Sequence, residues 1–536
     1  MLPAIFRVHP EMMIRLIFPR ALHTGTGENP VREAYRFIAG LRHSGMTEGD
    51  PPKLERLILD SPVINNFNEK YLCLTLSLVV QTNNFYPNPI VVESLSKRIL
   101  CISDLTLQGA NQVLGAFAKL KSENPEFESH SMIFCQKVFD IFQSKFIEDC
   151  PNRELSNVFW AASILRLENL GDSFLARNRL TDPVAKTLQT FDCVDLSLVC
   201  AALIENPDSS LWPVIRSELL ARRKFTRRDI PSIMCSLACA GITDRELMLH
   251  LCNVILRREL LDYRNLPAIV WAVATADAVH HRLIDQAVEI INKDGYKIKD
   301  SLDLRRISRG FAVNGHLGRI DKWLLKQVIP NSRSSSDVSD TVLIWELVTN
   351  QLSQSALRVF RSKPLCLWQE CGDKDALIQS QLYHMYLASL VDPTLDLTQK
   401  EVQFLKSLRD SFSSATGDMS SSTLHKNASE ALRKLEYKHI SEYKEPISGY
   451  LIDTFVPEEN AGIEVQGPTH FITDLETGAS ILRPADAFKH EVLRKVSGMR
   501  IVQATPWNFG PKLKQKNTVL MKALLEGRPI SNHSRI

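Results

Sequence analysis

"TRRDIPSIMCSLACA", residues 226–240, decides the fold because the same kind of segment recurs along the chain. A polar turn leads into a short apolar helix, and Pro231 falls in the first turn, where the amide that proline lacks has no helical partner. "DYRNLPAIVWAVATA", residues 262–276, repeats the arrangement with Pro267 at the same offset. Two matching segments that start 36 residues apart predict a repeat of helical units.

Eight apolar helical cores of this kind lie at nearly even spacing. They read "LSLVVQT", "LGAFAKL", "FWAASIL", "VCAALIE", "MCSLACA", "VWAVATA", "SRGFAVN" and "IWELVTN", and they begin at Leu76, Leu114, Phe159, Val199, Met234, Val270, Ser308 and Ile344. The gaps between consecutive first residues are 38, 45, 40, 35, 36, 38 and 36 residues. Helix pairs of about this period stack into an α-solenoid because one pair cannot bury both of its faces. With two more helices expected at 376–412, the spacing predicts a mostly α chain with helical repeats over residues 55–412.

Small residues recur inside the cores, as at Ala272 and Gly310, and they would allow helices of neighbouring units to pack closely. Basic residues cluster where one predicted unit meets the next. In chain order these are Arg222, Arg223, Lys224, Arg227, Arg228, Arg257, Arg258, Arg264, Arg305, Arg306 and Arg309. Arginines along one groove would follow the phosphates of a nucleic acid, whereas scattered arginines would form only the charged rim of a protein-binding solenoid. The recurrence of the clusters favours nucleic acid.

Composition sets broad limits. The chain has 536 residues, 44% hydrophobic and 23% charged, which indicates two or three folded domains. Its net charge of +3 is mild, so a surface for polyanions requires local clustering. None of the eleven cysteines stands in a CxxC pair, which favours buried thiols in a reducing compartment over a zinc site. No apolar run reaches the roughly 18 residues that a membrane-spanning helix needs.

The first 24 residues are typical of an organellar import segment. They are apolar and carry Arg7, Arg15 and Arg20 against a single acidic residue, Glu11. Arginine-rich, acid-poor, amphipathic segments direct proteins to mitochondria or plastids. We therefore predict a mitochondrial targeting segment at 1–24, with a plastid as the alternative.

The pattern changes near the C-terminus. A Ser-rich stretch at 413–423 is of the kind that joins domains. After it, residues 424–527 alternate between helix and strand: a helix over 424–438, strands in "GYLIDTFVP" and "AGIEVQG", a helix in "PADAFKHEVLRKVSG", a strand in "MRIVQAT" and a closing helix. This order predicts a small α/β domain around a short sheet.

Several motifs of this domain resemble the RAP domain of organellar RNA-binding proteins. They are Asp453 in the first strand, "IEVQGPTHF" at 463–471 against the family's I-E-V-D-G-P-x-H-F, "FKHEVLRKVSG" at 488–498, and a strand followed by "PW". The resemblance covers about a hundred residues. It implies an RNA-binding domain that follows an array of helical repeats and acts on mitochondrial or plastid transcripts. In some lineages such proteins are also structural parts of a mitochondrial ribosome.

RAP domains are in turn similar in fold to PD-(D/E)xK endonucleases, in which carboxylates on two strands bind magnesium and a lysine supports the attacking water. Asp453 and Glu464 occupy the two acidic positions, which makes them weak metal candidates. The position of the motif lysine holds Gln466, which is neutral and is also not the aspartate usual in RAP domains. Lys489 would supply a displaced lysine, and His470 would contact a phosphate or act as a base. We predict a degenerate centre that needs no cofactor, with magnesium implied only for a nuclease.

Aromatic and basic residues close the chain. Trp507 precedes Lys512, Lys514 and Lys516, a combination with which proteins bind single strands. Together these features predict an organellar RNA-binding protein acting on mitochondrial RNA, above all ribosomal RNA, in processing, stabilisation or ribosome assembly. Three alternatives stay open: a structural ribosomal component that contacts an rRNA fragment and mitoribosomal proteins, a magnesium-dependent endoribonuclease, and a protein-binding solenoid.

Overall fold

A computed structural model describes residues 69–81, 89–102, 105–123, 129–167, 173–293, 296–298, 300–331, 337–372, 375–414 and 423–505, together with Arg36, Ile58, Phe67, Met521, Lys522 and Leu525. The predicted import segment, residues 415–422 of the predicted linker, and Trp507, Lys512, Lys514 and Lys516 lie outside these residues. Within them, no helix is both long and apolar enough to cross a membrane.

The chain divides into two compact units, Met1–Ile242 and Thr243–Ile536. The described part of the first unit consists of helices and their connections. The helices are α1 (Glu69–Gln81), α2 (Pro89–Leu100), α3 (Leu107–Glu123), α4 (Ser129–Lys145), α5 (Asn152–Leu165), α6 (Ser173–Thr187), α7 (Cys193–Ala202), α8 (Leu211–Ala221) and α9 (Asp229–Cys239).

The second unit combines helices with two small sheets. Its helices are α10 (Arg245–Arg257), α11 (Leu266–Thr275), α12 (His281–Asn292), α13 (Ser301–Val313), α14 (Asp321–Val328), α15 (Asp337–Thr349), α16 (Ser353–Phe360), α17 (Leu365–Gly372), α18 (Ala376–Val391), α19 (Gln399–Ser407), α20 (Arg409–Ser414), α21 (Thr423–Lys434) and α22 (Pro484–Ser497). Its strands are β1 (Ala278–Val279), β2 (Ile440–Lys444), β3 (Leu451–Val456), β4 (Ala461–Val465), β5 (Phe471–Asp474), β6 (Ser480–Leu482) and β7 (Arg500–Ala504). The prediction of a mostly helical chain with a small C-terminal sheet region is confirmed.

The helices that contain the predicted apolar cores pack against one another in chain order. In the first unit the contacts run from α1 through α3, α5 and α7 to α9, and in the second from α11 through α13 and α15 to α18. Side chains join equivalent positions of successive helices: Ser156 Oγ donates to Asp195 Oδ1 (3.0 Å), and Asn350 Nδ2 donates to the carbonyl oxygen of Ala312 (3.1 Å). These partners are 39 and 38 residues apart, which is one period of the repeat in the sequence.

Gly310 marks the closest approach between two such helices. A β-carbon at this position of α13 would lie 2.9 Å from the carbonyl carbon of Val270 on α11 and 3.0 Å from its carbonyl oxygen. Both are backbone atoms, which cannot move aside as the end of a flexible side chain can. The sequence prediction that Gly310 permits close packing is therefore confirmed.

A four-stranded sheet lies in the C-terminal region, with the strand order β2–β3–β4–β7. The first two pairs are antiparallel, and β4 and β7 run parallel on either side of α22 in the chain. Helix α21 covers one face, where Ala428 and Leu432 pack against Val456 and Ile463. Strands β3, β4 and β7 and helices α21 and α22 match the sequence prediction, whereas β2 was not predicted.

A second sheet, which the sequence did not predict, joins this region to the helical repeats. Its order is β1–β5–β6, and β1 lies between α11 and α12. The amide of Thr473 donates to the carbonyl oxygen of Asp277 (2.7 Å), and the amide of Leu475 donates to that of Val279 (2.9 Å). Arg245 Nη2 also donates to the carbonyl oxygen of Leu475 (2.9 Å). The polar segment 473–480 is thus the tip of a hairpin that pairs with the repeats.

Further contacts place α22 along the carboxyl ends of the repeat helices. Gln351 Nε2, just after α15, donates to Glu491 Oε2 (2.9 Å), and Lys495 Nζ donates to the carbonyl oxygen of Val391 at the end of α18 (3.2 Å). Arg483, just before α22, forms an ion pair with Asp277 after α11. The C-terminal sheet region is therefore held against several successive repeats.

Replacing Gly310 tests the close approach of α11 and α13. Gly310→Ala is expected to lower the free energy of unfolding by about 1–3 kcal/mol, because the new methyl group must displace backbone. The measurement is a urea titration followed by circular dichroism.

Gly115→Ala is the matched control, since nothing lies within 4 Å of a β-carbon at this helical glycine on α3. Alanine favours a helix over glycine by up to about 1 kcal/mol, so this variant is expected to be as stable as the parent or more stable. Equal behaviour of the two variants would show that the helices do not pack as closely as described.

Candidate functional site

The side chains of strand β4 point alternately to the two faces of the sheet, and this alternation decides which face Glu464 occupies. Ala461 and Ile463 face the core under α21, so Gly462 and Glu464 face the opposite side, where α22 lies. There Glu464 Oε2 accepts a hydrogen bond from Lys489 Nζ at 2.7 Å. The side chains are 7% and 19% exposed, respectively, so this is a buried ion pair.

Burial dominates the electrostatics of Glu464. It raises the pKa of the Glu464 carboxyl above its usual range, the positive charge of Lys489 opposes the shift, and the nearby carboxylate of Asp453 adds to it. The second oxygen, Oε1, is buried, and the described residues supply no hydrogen-bond partner for it. Lys489 is therefore the group that opposes the effect of burial and favours the ionised form of this carboxyl.

Asp453 lies at the point where the backbone pairing between β3 and β4 stops. The regular pairing stops at Thr454 and Ile463, and beyond it Asp453 Oδ2 accepts from the amide of Val465 at 2.6 Å. The carboxylate thus takes the place of a backbone acceptor at the strand end. This is a structural role, and it engages one of the oxygens that a metal ion would need.

Gln466 lies two residues after Glu464 and faces the same side, towards α22; it is 1% exposed. Its side-chain nitrogen lies 3.2 Å from Nε2 of His490, and the side-chain nitrogen of Gln503 lies 3.4 Å from Nδ1 of the same ring. Burial, with a contribution from Lys489, lowers the pKa of His490 to about 4, so the ring is neutral at physiological pH. Gln466, at the position of the motif lysine, therefore contacts α22 and carries no charge to a ligand.

His470 is joined to the first turn of α22. Its Nδ1 lies 2.9 Å from Asp486 Oδ1, and this hydrogen bond raises the pKa of His470, although burial opposes the shift. The His470 side chain is 40% exposed. The contact with Asp486 fixes the turn that follows Gly467 and leaves part of the His470 ring open to solvent.

The five sequence candidates Asp453, Glu464, Gln466, His470 and Lys489 are thus brought together around α22. Among the described residues, no group of three or more His, Cys, Asp or Glu side chains is arranged to hold a metal ion. One oxygen each of Glu464 and Asp453 is already bonded, to Lys489 and to the amide of Val465. These donors do not fit a magnesium site of the nuclease kind, and the arrangement serves instead to hold a strand, a turn and a helix together.

Asp486 and His490 were not predicted from the sequence, although each contacts one of the candidates. Their signal is present in "ADAFKHEVL", where positions 486, 489 and 490 share one face of a helix. The resemblance directed attention to the strand motif and its lysine, and it supplied no partner for Gln466 or His470.

Among the predicted RNA-binding residues, Arg222 is held by contacts within its own unit. Its guanidinium donates to Glu218 Oε1 (2.6 Å) and to the carbonyl oxygen of Phe191 (2.7 Å), and its side chain is 14% exposed. These bonds tie the end of α8 to the loop before α7.

Six of the predicted RNA-binding residues are exposed: Arg223, Lys224 and Arg227 in the first unit, and Arg257, Arg258 and Arg305 in the second. Arg228 and Arg306 are half-buried, and Arg306 Nη1 lies 3.4 Å from Asp303 Oδ1. In each unit the clusters thus present several cations to solvent.

Arg309, the neighbour of Arg306 on α13, faces the buried carboxylate of Glu346 on α15 at 3.7 Å. Ser308 donates a short hydrogen bond to the same carboxylate. Burial raises the pKa of Glu346 to about 7, although Arg309 and Ser308 both lower it. A carboxyl group that titrates near neutrality therefore lies between two repeat helices.

Removing the partner of Glu464 tests the buried ion pair. Lys489→Met is expected to lower the free energy of unfolding by about 3–5 kcal/mol, because it leaves a buried carboxylate uncompensated. Adding Glu464→Gln should recover most of this loss, as measured by thermal or urea denaturation.

The surface pair of Lys434 and Glu430, whose side chains are 53% and 44% exposed, provides the control. Lys434→Met should cost less than about 1 kcal/mol. An effect of Lys489→Met as small as this one, or no rescue by Glu464→Gln, would contradict a buried pair.

Glu346 predicts a pH dependence of stability. Because the folded protein raises its pKa from 4.5 to about 7, its stabilising contribution is complete below pH 4.5 and is lost as the pH rises through about 7. Glu346→Gln should therefore raise the midpoint of thermal unfolding more at about pH 8 than at about pH 5. The exposed Glu370 is the control, and Glu370→Gln should leave the pH profile unchanged. A profile that Glu346→Gln does not alter would rule out titration of Glu346 in this range.

The sequence matches no protein-family model, and it has no significant match among curated proteins. The function of the chain must therefore be inferred from the residues described above.

Proposed function

We propose that this chain is an RNA-binding protein of the mitochondrion, in which helical repeats form an α-solenoid and a RAP-like domain ends the chain. The observation that carries the proposal is the contact between Glu464 and Lys489, 2.7 Å apart. These residues belong to the two motifs, "IEVQGPTHF" and "FKHEVLRKVSG", that carry the resemblance to RAP domains. Their meeting within a small α/β region supports that assignment.

The same centre favours binding without cleavage. Magnesium-dependent hydrolysis needs carboxylate oxygens free to bind the metal and a cation directed at the nucleophile. Here Lys489 is bonded to Glu464, and Gln466 contacts His490. We therefore infer that the centre maintains the fold of the domain and that RNA is bound elsewhere.

The repeats supply the cations for that contact. Arg223 and Lys224 in the first unit, and Arg257 and Arg258 in the second, are exposed at helix ends or in the turns that follow them. Each phosphate that such a residue neutralises releases a counterion, so RNA affinity should fall steeply as salt is added. Ribosomal RNA is the favoured target, in processing, stabilisation or ribosome assembly.

The test is binding of the full chain to fluorescently labelled RNA at several salt concentrations. The double variant Arg257→Glu, Arg258→Glu should bind RNA about tenfold more weakly, or weaker still. The slope of the logarithm of the RNA association constant against the logarithm of the salt concentration should become shallower by about 2. Lys400→Glu with Lys406→Glu on α19 makes the same change of charge at exposed positions outside the clusters, and it should have a smaller effect.

Two outcomes would contradict the proposal. Absence of salt-dependent binding to any RNA would leave a protein-binding solenoid. Magnesium-dependent cleavage that is abolished by Glu464→Gln in a folded protein would make the chain a ribonuclease. Crosslinking inside isolated mitochondria, followed by sequencing of the bound RNA, then identifies the target as ribosomal RNA or as another transcript.

A further inference from the structure

A row of large side chains crosses three successive repeat helices of the second unit. Trp271 on α11, Arg309 on α13 and Trp345 on α15 each occupy the second position of their apolar core: "VWAVATA", "SRGFAVN" and "IWELVTN". Arg306 lies one turn before Arg309 on the same helix. We call Trp271, Arg306, Arg309 and Trp345 the Trp–Arg row. All four are half-buried, in helices whose other faces are packed in the core.

The row has an indole ring at each end and the two arginines between them. The guanidinium carbon of Arg306 lies 5.9 Å from the ring centre of Trp271, and that of Arg309 lies 5.6 Å from the ring centre of Trp345. Each arginine thus contacts the indole of the helix next to its own. These contacts hold the rings and cations of three helices in a fixed order along one surface.

We propose that the Trp–Arg row binds unpaired bases of single-stranded RNA: each arginine exchanges its indole for a phosphate, and the indole face that it leaves stacks on a base. Stacking on aromatic rings accepts any base, because every base has a π face. In a duplex those faces are already stacked on one another, so side chains of this kind recognise RNA whose bases are splayed out. This inference rests on the proposed function and identifies the form of RNA and the place where it binds.

The arginines have acidic neighbours, and these do not prevent such contacts. Arg306 pairs with Asp303 at 3.4 Å, and Arg309 faces Glu346 at 3.7 Å, beyond hydrogen-bond distance. A guanidinium has five N–H donors, so contact with the carboxylate of Glu346 leaves Arg309 able to contact a phosphate as well. The Arg309 side chain is 42% exposed, which leaves that part of it open to a ligand.

The described helices of the first unit provide a comparison. At the equivalent second position they carry Ser77, Gly115, Trp160, Cys200 and Cys235, so no arginine occupies this position there. Trp160 is half-buried like Trp271, but no cation of the described part of the chain is seen over its ring. The combination of indole and guanidinium therefore belongs to α11, α13 and α15, and Trp160 is a matched control.

The experiment measures binding of the full chain to a short labelled oligouridylate and to a blunt duplex RNA by fluorescence anisotropy. Trp271→Leu and Trp345→Leu should each weaken binding of the single strand about tenfold, the loss expected for one stacked base. Binding of the duplex should not change. Trp271→Phe and Trp345→Phe keep an aromatic face and should retain most of the affinity, whereas Trp160→Leu should bind like the parent.

Thermal unfolding of each variant separates loss of binding from loss of fold, and the phenylalanine variants keep the test valid if a leucine variant unfolds. A folded Trp271→Leu, Trp345→Leu double variant with the parent's affinity for oligouridylate would overturn the inference. So would an equal loss of duplex binding, which would indicate phosphate contacts without stacking. In both cases the parent still binds RNA and the proposed function survives, whereas a parent that binds no RNA removes both.

Discussion

The pairing of β1 with β5 is the constraint on which the arrangement of the second unit depends. Two residues between repeat helices, Ala278 and Val279, form a parallel strand pair with a hairpin of the C-terminal region. Arg245 and Arg483 strengthen the junction through a backbone carbonyl and a carboxylate. Because α22 follows this hairpin directly, the same pairing sets where α22 lies against the repeat helices, and thereby where Lys489 meets Glu464.

The buried pair of Glu464 and Lys489 shows how charged side chains can serve a structural purpose. A lysine directed at solvent would leave its charge available to a ligand, whereas this one is bonded to a carboxylate for which the described residues supply no other hydrogen-bond partner. His490 is neutral because it is buried, and its ring lies within hydrogen-bond distance of the Gln466 side chain. The charges of the centre are thus used within the domain, and the exposed arginine clusters lie on the repeats.

The sequence predicted the elements whose signal is local. Apolar cores at even spacing predicted the helices, Gly310 predicted a close approach, and the alternation of helix and strand after residue 423 predicted β3, β4 and β7. Strands β1, β5 and β6 escaped prediction because each is only two to four residues long, and because β1 and β5 are far apart in the chain although they pair with each other. For the same reason, His490 and Asp486 acquire a role only once α22 lies over β4. The pairing of Arg309 with Trp345 likewise depends on how neighbouring helices pack.

The sheet β1–β5–β6 also has a consequence for how the chain is made. Arg245 and its acceptor on Leu475 are 230 residues apart, so a polypeptide that emerges from its amino end first forms this contact late in its synthesis. Until then the carbonyl groups of Asp277 and Val279 lack the partners that β5 supplies. An open strand edge of this kind invites aggregation and the binding of chaperones. A product cut short before β5 would keep that edge exposed, which would mark it as incomplete even though its helices had formed.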